Sequence, residues 1–103
     1  MGEYGDLFSS LVAGELRASR ARRKMTIDSL VLATGLSKSA ILNYLNGKRD
    51  IPTSALAEIS RALDVDPHEI FERAFSSLNP ADFALAASDA DYDAEAEAGQ
   101  EFP

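Results

Sequence analysis

Lys38, Ser39 and Asn43 are the residues whose types and spacing suit recognition chemistry. A Lys ammonium donates to guanine O6 and N7, an Asn amide pairs with adenine N6 and N7 together, and a Ser hydroxyl serves either base. Ser39 and Asn43 are four residues apart, which on a helix puts them on one face, with Lys38 in the same turn as Ser39. Lys48 and Arg49 follow Gly47, and Lys24 precedes the second of the helices described below. Such cations suit phosphate oxygens, contacts that fix register without reading sequence. Asn46 can donate to a phosphate or simply cap a helix. The competing reading of all seven is an ordinary solvated polar surface.

Bond-breaking chemistry finds no comparable set. His68 is the sole histidine, next to Pro67, and reads as a surface residue. The chain has no Cys, so it offers neither a thiol nucleophile nor thiolate metal ligands, and no second His completes a metal pair. The serines fall at helix caps or on exposed faces, and the six glycines are scattered rather than gathered into a phosphate-cradling loop. Acids near the C-terminus lie among alanines that supply no rigid cation cage. We therefore expect no enzyme, no cofactor, no metal and no small-molecule substrate.

The elements that must position these residues are helical. Phe8, Val12 and Leu16, with Leu11 beside them, form one apolar face of a first helix running from about residue 6 to Lys24. Thr26 caps a second helix, with Met25 placed to staple onto Leu30, and Thr34-Gly35 ends it. Ser37 caps a third, with Leu36 and Ile41 at the same staple spacing, and Gly47 stops it after Asn46. Beyond the loop 48–52, a fourth helix capped by Thr53 or Ser54 carries Leu56, Ile59 and Leu63. A fifth opens on Asp66, with Pro67 at its first position and Glu69 closing a capping box. Val65 can staple onto Ile70, and Phe71, Ala74, Phe75 and Leu78 continue the apolar face. No segment alternates like a strand. Two helices joined by a short Gly turn form the motif whose second helix enters the DNA major groove, and residues 25–49 fit it without gaps.

The chain is 103 residues long, enough for one small domain, and its charge is segregated. Residues 79–103 hold seven acids and no base, residues 1–78 are neutral, and positions 17–49 hold eight bases against one acid, Asp28. The basic middle, rather than the overall charge of −7, bears on a nucleic-acid partner. We read 1–78 as the folded domain and 79–103 as an acidic, Ala-rich, disordered tail with at most a frayed helical turn at residues 83–87. Met1 to Asp6 lack the basic start of a signal peptide, the longest apolar run is five residues, and Asp6 stands where a myristoylation motif wants Ser or Thr. A cytoplasmic protein without a membrane partner is expected.

The sequence also resembles the lambda-repressor-like, or Cro/Xre-type, helix-turn-helix family over roughly residues 7–76. Thr26, Leu30, Gly35, Ser37, Ile41, the run Asn46-Gly47-Lys48-Arg49, and Ala62-Leu63 followed by Val65 carry the resemblance. It implies an all-α, compact five-helix bundle that binds double-stranded operator DNA through the major groove. It also implies that Lys38, Ser39 and Asn43 stand at the usual base-reading positions. Short acidic-tailed chains of this kind look like immunity repressors of temperate phages, actinobacterial ones included, and the Ala, Arg and Asp richness is compatible with a high-GC genome.

The chain departs from the family pattern at several points. Ile27 stands where a Gln usually contacts the backbone or a base edge. Arg20 lacks the acid often found at the position of Leu45, so it must find another partner or face solvent. Leu32, Leu42 and Leu45 occupy commonly polar places; we expect Leu32 and Leu45 to extend the core, the alternative being an apolar patch for a second subunit or, in the case of Leu42, for thymine methyl groups. Two rival readings keep the fold: an antitoxin whose C-terminal segment binds a toxin, and a protein-interaction module that has lost DNA binding. With no second folded domain in view, a monomer or weak dimer that pairs on DNA is expected.

Overall fold

The capping residues set most of the helix boundaries. A computed structural model describes residues 2–78, which form α1 (Glu3–Arg23), α2 (Ile27–Thr34), α3 (Lys38–Leu45), α4 (Thr53–Leu63) and α5 (Pro67–Ser76), with no strand among them. The acidic segment 79–103, including the turn expected at 83–87, lies outside the described residues.

Thr26 Oγ1 accepts from the Ser29 backbone N–H at 3.0 Å, and Ser37 Oγ accepts from that of Ala40 at 3.1 Å. Each satisfies one of the donors a helix start leaves unpaired. Gly35 and Gly47 take φ of 75° and 72°, the left-handed geometry that a Cβ disfavours. Two helix starts and one capping box differ from expectation. α1 starts at Glu3, three residues early, its first turn holding Glu3 and Asp6 where carboxylates favour the helix dipole. α4 is not capped by Thr53 or Ser54: Pro52, extended at ψ 149°, is the N-cap, and its carbonyl accepts from Leu56 N–H at 2.9 Å. At α5, Asp66 accepts from His68 N–H at 2.9 Å, but Glu69 leans toward Arg73, 3.8 Å away, instead of closing the capping box.

The core is Val12 and Leu16 of α1, Leu30 of α2, Ile41 and Leu45 of α3, Leu56, Ile59 and Leu63 of α4, and Ile70 and Ala74 of α5. Each fully buried Leu or Ile contributes about 1.5–3 kcal/mol. α1 packs on α3, α4 and α5, while α2 packs on α3 and α4. Met25, Leu36 and Val65 are half-buried against the core to which Leu30, Ile41 and Ile70 belong. Leu45 is core, as expected, and Ile27 also packs inward. Leu32 is 88% exposed: α2 offers only Leu30 fully to its neighbours, and Leu32 falls on the opposite side. Ala74 of α5 and Leu78 just beyond it are buried, but Phe71 and Phe75 are 39% and 48% exposed, because α1 covers only part of that apolar face. Phe8 of α1 meets Phe71 with ring centroids 5.8 Å apart.

Candidate nucleic-acid interface

α2 and α3 are separated by three residues, Gly35, Leu36 and Ser37. Gly35 turns the chain, and the Thr34 hydroxyl braces the turn: it donates to Leu30 O at 2.7 Å and accepts from Leu36 N–H at 3.2 Å. Ile41 and Leu45, one turn apart, lie buried and fix which side of α3 faces the domain. Lys38 and Ser39 are exposed in its first turn, and Asn43, one turn beyond Ser39, is half-buried.

The C-terminal end of α3 folds back on itself. The Asn43 carbonyl accepts from the backbone N–H of Lys48 at 2.9 Å and of Arg49 at 3.3 Å. These bonds place the start of the exposed Lys48-Arg49 pair against the helix that carries Asn43. Asn46, also exposed, is the C-cap of α3, its N–H donating to Leu42 O. Lys24 is exposed at the left-handed C-cap of α1, φ 55°, two residues before the Thr26 cap.

Four residues that sequence reading did not single out hold this arrangement. Arg17 of α1 donates from Nη1 to the carbonyl of Leu45, the last residue of α3. Arg61 of α4 donates to Ala33 O, at the end of α2, at 3.1 Å, while pairing with Glu58. Asp28 of α2 lies 3.3 Å from Lys38 Nζ, a tie between the two helices. Arg23 donates to Leu63 O at 3.0 Å and to both the carbonyl and the carboxylate of Asp64, closing the end of α4. Arg20, lacking an acid at Leu45, donates to Met25 O at 2.8 Å, with its Nε buried and unpaired. Three guanidiniums thus sit at helix C-termini, where a cation suits the dipole and unmet carbonyls need donors. The basic stretch 17–49 is partly a set of struts, and residues 24–49, with four bases and Asp28, carry a net +3.

His68 is exposed in the first turn of α5, 3.5 Å from the Glu72 carboxylate. No helix among the described residues is long and apolar enough to cross a membrane.

Capped short helices about a Gly turn, the second of them exposed along its polar side, define a helix-turn-helix DNA-binding domain. The chain belongs to the Cro/C1-type HTH DNA-binding domain family, whose profile matches residues 15–76. Its fold is similar to that of the clp gene regulator ClgR from C. glutamicum: 22% identity, TM-score 0.66, covering 72% of this chain and 96% of that one. It is similar too to the restriction-modification controller protein C.AhdI from Aeromonas hydrophila: 23% identity, TM-score 0.56, covering 59% and 92%. No curated protein matches the sequence significantly.

Proposed function

We propose that this protein is a sequence-specific double-stranded DNA-binding transcriptional repressor that acts by covering operator sequence. The carrying observation is α3: an exposed, capped first turn with Lys38 and Ser39, Asn43 one turn on, and Lys48-Arg49 folded back against it. In this reading α3 lies in the major groove. Lys38, Ser39 and Asn43 touch base edges, and Lys24, Asn46, Lys48 and Arg49 hold phosphates. Two of the proteins sharing the fold are named as a gene regulator and a controller protein, which accords with a regulatory role. The protein acts in the cytoplasm, where its DNA lies, and the particular role we assign is immunity repression in a temperate phage.

Footprinting on DNA flanking its own gene tests this directly. A discrete protected site overlapping a promoter is expected. On that site Asn43→Ala costs about 1–3 kcal/mol and relaxes one base preference. Wild-type affinity and selectivity in the mutant would remove Asn43 from the base readers. Protection nowhere in the flanking DNA would sink the operator reading.

A further inference from the structure

We propose that the acidic segment 79–103 is an internal competitor of DNA, lying against the basic face formed by Lys38, Lys48 and Arg49; this rests on the DNA-binding reading above. The first observation is the charge of the two parties. The segment carries Asp82, Asp89, Asp91, Asp93, Glu95, Glu97 and Glu101 with no base. From Ser37 to Arg49 the chain has three bases and no acid. Lys48 and Arg49 are exposed, and Lys38 keeps 61% of its side chain open despite Asp28. Of the other bases, Lys24 is also exposed and itself a proposed phosphate contact, while Arg17, Arg20 and Arg23 are held on carbonyls, Arg22 on Ser19 Oγ, Arg61 on Ala33 O and Glu58, and Arg73 on Glu69. The acids of the segment therefore find an open positive field on the surface that would meet phosphates.

The second observation is reach. The segment starts after Leu78, just past the end of α5, and is 25 residues long. Extended, it spans up to about 80 Å. A domain of this size is roughly 30 Å across. No face of the domain is out of range. Tethering of this kind supplies an effective concentration of order millimolar, so a weak contact suffices to compete. Binding to arbitrary DNA is almost wholly electrostatic and is the mode such a competitor suppresses most. Operator binding, which adds base-edge hydrogen bonds, loses less. The segment sharpens discrimination without touching a base.

The experiment compares the full chain with a full-length variant whose acids become amides: Asp82→Asn, Asp89→Asn, Asp91→Asn, Asp93→Asn, Glu95→Gln, Glu97→Gln and Glu101→Gln. The DNA probe is a random-sequence duplex. At low salt the variant binds it about tenfold tighter, and the gap closes as salt rises through physiological strength. A second readout needs no DNA. Backbone amide resonances of residues 38–49 differ between the two proteins at low salt and converge at high salt, while those of α5 stay put. The difference is independent of protein concentration. Equal affinities, or amides of 38–49 that coincide at low salt, overturn the proposal. A difference that fades on dilution overturns the intramolecular contact in favour of one between copies. Failure of both proteins to bind any DNA overturns the functional reading instead, and the amide comparison still decides whether the segment lies on this face.

Discussion

At the scale of single residues, the interface separates side chains that would read sequence from side chains that would hold the duplex. Lys48 and Arg49 lie beyond the C-cap of α3, exposed and anchored through their backbones to the Asn43 carbonyl. Their side chains are therefore free to meet phosphates while their positions are fixed. Lys48→Ala and Arg49→Ala should each weaken binding to all sequences alike and lower the slope of log affinity against log salt by about one unit. An unchanged slope in either mutant, measured by salt titration, would take that residue off the phosphate list. Both positions were legible from Gly47 and the basic pair behind it. The Asp28–Lys38 tie was not, since it joins residues ten apart across a turn whose geometry only the fold provides.

At the scale of elements, local chemistry was readable and partners were not. Thr26, Ser37, Asp66, Gly35 and Gly47 act within one turn of themselves, so their roles follow from sequence. The start of α4 was misread because Ser and Thr are commoner caps than Pro52, and only backbone geometry decides between them. Exposure of Leu32 was misread, and that of Phe71 and Phe75 was not readable, because spacing gives an apolar face but not how much of it a neighbour covers. The arginine struts were invisible for the same reason: Arg17 meets Leu45 across 28 residues and Arg23 meets Leu63 across 40. Arg17 makes its own test. Arg17→Met keeps the aliphatic stem and deletes the donor, and should cost about 1 kcal/mol of stability. Amide hydrogen exchange should then speed up most at the C-terminal turn of α3. Uniform acceleration across all five helices would deny the strut its local role.

At the scale of the whole molecule, the described domain has one core and an incompletely covered apolar side where α1 and α5 meet, with Leu7, Phe71 and Phe75 exposed. Stable complexes bury roughly 1,200–2,000 Å² in total, and a few part-exposed rings on one side of a small domain fall short of that. Sedimentation at micromolar concentration should show a monomer or a weakly associating dimer. A tight dimer would refute this and direct attention to Phe71 and Phe75, whose replacement by polar residues should then dissociate it.

The long reach of α1 has a consequence for the newborn chain. α1 is translated first, yet what it needs comes late: Leu45, then Leu63 and Asp64, and finally Phe71, whose ring lies 5.8 Å from that of Phe8. At about 5–20 residues per second, the interval between making Phe8 and making Phe71 is roughly 3–13 seconds. For that time Phe8 lacks its ring partner, and Val12 and Leu16 wait for the core side chains of α3 and α4, while α2 and α3, eight residues each and adjacent in sequence, can pair as soon as both have left the ribosome. The helix-turn-helix half of the domain is thus ready to take shape before the helix that braces it can dock fully, and α1 is the segment a ribosome-bound chaperone would meet.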